Sequence, residues 1–226
     1  MIFRVFRPAW MLLAVLAAGS PVVTAEPDAA RSSYWHERDT FFRTFGGRAD
    51  VVMLGDSLTD GAEWRELFPR QQIVNRGIDG DTADGLLERL DAVLALRPRQ
   101  VFVMIGINDL RAQRSVEAVF ADYRTLVARL AAAGAQVIVQ STLPCSPDAA
   151  SAQFCVAANP QVRQLNARLT TLAAGPVRYL DLTPLLADAG GLKTGLSFDG
   201  IHLNGAGYRL WQRAIAPLMG PPGTDR

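Results

Sequence analysis

Two histidines, two cysteines and a formal charge of only +1 in 226 residues leave few groups for several kinds of chemistry. The near-balance of charge, with no long basic run, removes the electrostatic footprint expected of a nucleic-acid or anionic-membrane binder. The cysteines, Cys145 and Cys155 in "LPCSPDAASAQFC", have no C-x-x-C spacing and no histidine beside them, which makes a poor zinc site. The acidic stretch "DGDTADG" at 79–85 is not a calcium loop. Counted from Asp79, the fifth and sixth places hold Ala83 and Asp84, and the twelfth holds Leu90. It reads instead as a solvated turn before a helix, with Asp81 as a candidate cap. No internal repeat, low-complexity tract or linker divides the chain after its start.

The first 25 residues have the layout of a secretory signal peptide. Arg4 and Arg7 precede an apolar run from Ala9 to Ala18, and Gly19, Ser20 and Pro21 break it before Val23-Thr24-Ala25. At about 10 residues the run is short for the ~20 that span a bilayer, and an uncleaved anchor is the alternative. The expectation is an exported protein, periplasmic or secreted, with one domain over residues 26–226 and no stable membrane span after cleavage. In an oxidising compartment Cys145 and Cys155 read as a disulfide, with two free thiols as the alternative.

Short apolar runs alternate with longer helical patterns. The runs are "VVML" at 51–54, "QIVN" at 72–75, "VFVMI" at 101–105, "QVIVQ" at 136–140 and "VRYL" at 177–180. Residues 82–96, 115–134, 159–174 and 205–219 space their apolar residues by three and four, and Gly134 fits a helix end. Strand then helix, repeated about five times, predicts a doubly wound α/β sheet. Sites on such sheets form beyond the carboxyl ends of the strands. Ser57, Gly77 and Asn108 each lie just after one of the first three strands, so three distant loops are expected to meet at one edge.

Acyl transfer needs a nucleophile, a base, a group that orients the base, and donors for the oxyanion. His36 has no acid and nucleophile motif around it, whereas His202 follows Asp199 in D-x-x-H spacing, which places carboxylate and imidazole on one side of a turn. Ser57 could be the nucleophile, and Asn108 and the N–H groups of Gly77 and Ser57 the oxyanion donors. Taken singly, each of these residues also reads as a turn or helix cap. The elbow G-x-S-x-G is absent because Thr59 stands where the second glycine would be, which excludes a standard α/β-hydrolase.

Together, "GDSL" at 55–58, the glycine of "NRG" at 77, "GIND" at 106–109 and "DGIH" at 199–202 resemble the SGNH hydrolases, the GDSL esterase/lipase family. "WRELFP" at 64–69, "NRGIDGDTADGLLERL" and "RPRQVFVMIGIND" are most similar to its platelet-activating-factor acetylhydrolase catalytic-subunit branch and that branch's bacterial relatives. The resemblance implies a flavodoxin-like three-layer α/β/α sandwich with a five-stranded parallel sheet. It also implies Ser57 as nucleophile, His202 as base, Asp199 as its orienting acid, an oxyanion hole of Ser57, Gly77 and Asn108, and no metal or other cofactor. The expected activity is an esterase releasing short acyl groups, acetyl first, with O-acetylated carbohydrates among the candidate substrates. A thioesterase or lysophospholipase for longer acyl chains and a non-catalytic glycan-binding module are the alternatives.

Overall fold

The computed structural model describes residues 31–147 and 152–220, so the proposed leader lies outside the described residues. Five parallel strands form the sheet: β1 (Val51–Gly55), β2 (Ile73–Gly77), β3 (Gln100–Met104), β4 (Gln136–Gln140) and β5 (Val177–Leu180). Their order is β2-β1-β3-β4-β5, the flavodoxin-like arrangement. Each lies within a residue or two of its apolar run in the sequence.

Alternation along the strands divides the interior in two, because successive side chains point to opposite faces. Val52, Leu54, Val101, Val103, Val137 and Val139 share one core with Leu86, Leu90, Tyr123, Leu126 and Leu165. Val51, Met53, Phe102, Met104 and Ile138 share the other with Trp64, Leu186 and Trp211. The first core is covered by α4 (Ala83–Glu88), α5 (Leu90–Leu94), α7 (Val116–Ala132) and α8 (Ala152–Leu169). The second lies under α3 (Trp64–Leu67), α9 (Thr183–Leu186) and α10 (Gly205–Ile215). Two short helices, α2 (Ser57–Asp60) and α6 (Ile107–Arg111), follow β1 and β3 directly, and a two-stranded hairpin, β6 (Ala187–Asp188) and β7 (Gly191–Leu192), precedes the histidine loop.

Capping explains the cleanest helix. The Ser115 side chain accepts from Ala118 N–H at the start of α7, and Gly134 leaves the helix at φ +89, a conformation that glycine takes without a Cβ penalty. Elsewhere the structure departs from the sequence pattern. The single helix expected over 82–96 is two, broken at Arg89, whose side chain turns into the protein. Helix α8 begins seven residues before Asn159, where the helical spacing starts in the sequence. The extension is held by the Cys145–Cys155 disulfide and by the Asn159 side chain, which accepts from Cys145 N–H and donates to its carbonyl. A further helix before the sheet, α1 (Ser33–Thr44), was not anticipated, because its buried stripe is only Trp35 and Phe42.

Candidate active site

Strand register brings the predicted loops together. Gly55 lies beside Gly77 on one side and beside Met104 on the other, so β1, β2 and β3 end at the same level. Ser57 opens α2 two residues beyond that edge, and Asn108 sits in the first turn of α6. Asp56 rather than Ser57 caps α2, its carboxylate accepting from Leu58 N–H at 3.1 Å. The serine hydroxyl is therefore free of capping duty.

Ser57 Oγ lies 3.0 Å from His202 Nε2, and His202 Nδ1 lies 2.6 Å from Asp199 Oδ2. With Nδ1–H donating to the carboxylate, Nε2 is the nitrogen left to accept the serine proton. The other Asp199 oxygen accepts from the N–H groups of His202 at 2.8 Å and Ile201 at 2.9 Å. Partial burial raises the proton affinity of Asp199, but these hydrogen bonds and the imidazole outweigh it and hold the carboxyl well below the usual carboxylate range. The side chains of Asp199 and His202 are about half exposed, at 51% and 46%, so this part of the site is open to a substrate.

Three anchors fix the loop that carries them. Asn204 caps α10 by accepting from Ala206 and Gly207 N–H and donates to Gly195 O. Tyr208 on α10 donates to Leu58 O, which ties that helix to the one Ser57 opens. Ser146, next to the disulfide, donates its N–H to Gly200 O at 2.7 Å and its hydroxyl to Leu192 O. The loop after β4 thus borders the site.

Asn108 donates from Nδ2 to Asp81 O at 3.0 Å, which orients the amide and leaves its second N–H uncommitted. Gly77 corrects the expectation. Its N–H donates to Asn75 Oδ1 at 2.8 Å, so it is not available to an oxyanion. The residue is glycine for packing, since a Cβ there would fall 2.2 Å from Asp60 N. Gly80, at φ +74 in the turn just before Asp81, has open space where a side chain would stand, and among the described residues no hydrogen bond draws on its N–H.

The site also contains a buried ionic cluster that the sequence reading missed. Asp81, taken there for a cap, is buried and paired with the equally buried Arg89 at 2.8 Å, while Thr82 is the N-cap of α4. Arg89 Nη2 donates to Gly55 O and Arg76 O, at the ends of β1 and β2. One clue was legible: Arg89 falls three residues after Leu86, on the face of the apolar stripe.

Burial pushes the Asp56 carboxyl up to about 7, against the Leu58 N–H that lowers it and reinforced by the charges of Asp81 and Asp109. Burial likewise raises Asp109 to about 6, although Ala83 N–H and Arg114 lower it. Because folding raises the proton affinity of Asp56 above its ordinary 3.8, its stabilising contribution is complete below about pH 4 and is lost as pH rises through 7. At ~1.4 kcal/mol per unit this amounts to at most about 4 kcal/mol. An Asp56→Asn variant keeps a cap acceptor without the charge. Urea unfolding is expected to show wild type losing stability relative to that variant between pH 4 and 8, whereas parallel curves would contradict the assignment.

A serine, an imidazole and a carboxylate in hydrogen-bonded line, at the carboxyl edge of a parallel sheet, have the geometry of a serine hydrolase. Comparison with known proteins agrees with that class. The model of the GDSL-like Lipase/Acylhydrolase family matches residues 53–210, and the chain belongs to this family, the SGNH hydrolases; it is an ester-cleaving hydrolase. Among curated relatives, the platelet-activating factor acetylhydrolase IB subunit alpha1 of Rattus norvegicus is 29% identical over 181 residues, 75% of each chain. A GDSL-like lipase from Bacteroides thetaiotaomicron superposes with a TM-score of 0.71 at 23% identity, covering 81% of this chain and 96% of its own. An acetyl-xylooligosaccharide esterase from Geobacillus does so at 0.58 and 20%, covering 80% and 99%. These two establish the fold. Membership in a hydrolase family sets aside the glycan-binding module. Among the described residues no helix is long and apolar enough to cross a membrane.

Proposed function

We propose that the protein is an exported serine esterase that removes short acyl groups, acetyl first, from an alcohol or sugar. The observation that carries this reading is the unbroken line from Ser57 Oγ through His202 to Asp199. In the reaction Ser57 Oγ attacks the ester carbonyl carbon while its proton passes to His202 Nε2. Asp199 holds the ring tautomer and faces the imidazolium that forms. Ser57 N–H, the second N–H of Asn108 Nδ2 and Gly80 N–H, in place of Gly77, receive the oxyanion. His202 then returns its proton to the departing alkoxide, which leaves an acyl-serine. Water, deprotonated by the same imidazole, attacks that acyl group and releases the carboxylic acid and Ser57.

Acetyl as the preferred group is supported by the rat relative, whose name is that of an acetylhydrolase. Export is supported by the amino-terminal pattern and by the Cys145–Cys155 disulfide. In this reading the mature domain spans residues 26–226.

Initial rates on p-nitrophenyl acetate and p-nitrophenyl decanoate test the acyl preference. Faster turnover of acetate supports the proposal, and faster turnover of decanoate would hand the site to the long-chain alternative. Acidification provides a second check. Asp199 stays ionised far below neutrality, so kcat/KM is expected to fall on the acid side while the Asp199 carboxylate is still charged, because imidazolium cannot act as base. A rate unchanged over the whole acidic range in which Asp199 stays ionised would contradict the base assigned to His202.

A further inference from the structure

Helix α1 lies outside the stretch matched by the family model, yet one of its side chains reaches the centre of the buried ionic cluster. Trp35 Nε1 donates to Asp81 Oδ1 at 2.9 Å, and indole and carboxylate are 3% and 1% exposed. The same oxygen accepts from Thr82 N–H, and the other oxygen takes Arg89 Nε. Asp81 and Arg89 together reach the ends of β1 and β2 and the turn after β3. The Asp81 carbonyl receives Asn108 Nδ2, and Arg89 Nη2 holds the carbonyls of Gly55 and Arg76. Gly85 on α4 leaves the room that the Asp81 carboxylate occupies, since a Cβ there would lie 2.1 Å from Oδ1.

We infer that Trp35 is a positioning residue for catalysis: by fixing the Asp81 carboxylate from α1, it sets the Asn108 amide and the 78–81 loop at the height where the oxyanion develops. The inference rests on the proposed roles of Ser57, His202 and Asn108. A donor displaced by a fraction of an ångström still permits binding but loses much of its effect on the transition state, so the cost falls on kcat. A second bond from α1, Tyr34 Oη to Asp60 Oδ2 at 2.7 Å, secures the end of the nucleophile's helix from the same side.

The test is a double-mutant cycle with p-nitrophenyl acetate, assayed well below the unfolding midpoint of every variant. Trp35→Phe removes the donor and keeps an aromatic ring. Replacement of Trp35 by 3-benzothienylalanine removes only the N–H and preserves the shape, which covers the case in which phenylalanine disturbs folding. Either change is expected to lower kcat about tenfold with KM within about twofold. In an Asn108→Ala background, where the amide being positioned is gone, the same change is expected to cost less than about twofold. Equal losses in the two backgrounds, or no loss in the first, would overturn the inference. If Asn108→Ala itself leaves kcat unchanged, the reading of the site fails, and the inference with it.

Discussion

Alanine at Ser57 is expected to lower kcat for p-nitrophenyl acetate by a factor on the order of 10⁵. Alanine at His202 is expected to cost about as much, and the double variant no more than either single one. In the proposed mechanism the serine hydroxyl supplies the bond to carbon and the imidazole supplies the place for its proton, so each is idle without the other. Their 3.0 Å separation makes them one chemical unit. Turnover that remains in these variants should come from the oxyanion donors and from binding alone. Losses that multiply in the double variant, or a single variant retaining more than a few per cent of wild-type kcat, would contradict a shared step.

The second large effect concerns stability. Arg89→Met is expected to destabilise the fold by about 3–5 kcal/mol, measured by urea unfolding at neutral pH. Arg89 and Asp81 are 1% and 1% exposed, so removal of the guanidinium leaves a carboxylate in the core with the Trp35 and Thr82 donors but no counter-charge. Burial also depresses the proton affinity of Arg89, and Asp81 opposes that effect. Arg89 Nη1 is buried without a hydrogen-bond partner, so the pair is imperfectly satisfied even as it stands. Replacement of both residues, Asp81→Leu with Arg89→Met, is therefore expected to cost less than the single Arg89→Met. An Arg89→Met variant as stable as wild type would show that the carboxylate finds solvent or another partner.

The parts of this molecule that were legible in the sequence are those set by periodicity and by local spacing. The three central strands, β1, β3 and β4, carry nearly unbroken apolar runs because both faces of the sheet are covered there, and D-x-x-H needs only a turn to bring Asp199 to His202. Ser57 and Asn108 follow from strand order, since they leave neighbouring strands at the same level. What escaped depends on tertiary partners. Arg89 is a charged residue on an apolar face, made tolerable only by Asp81, Gly55 O and Arg76 O. Gly77 and Gly80 stand three residues apart in "GIDG", and spacing cannot say which N–H the Asn75 side chain will occupy. Helix α1 is thinly amphipathic and is held by Trp35, Phe42 and hydrogen bonds from Tyr34, Trp35 and Arg43 to Asp60, Asp81 and Glu88 O.

The most direct test of the account is covalent labelling of the folded chain with a fluorophosphonate, followed by intact mass measurement and peptide mapping. One adduct per chain, located on the peptide carrying Ser57 and absent from Ser57→Ala, is the expected result. An unlabelled protein, or a label of equal yield in Ser57→Ala, would contradict Ser57 as the nucleophile.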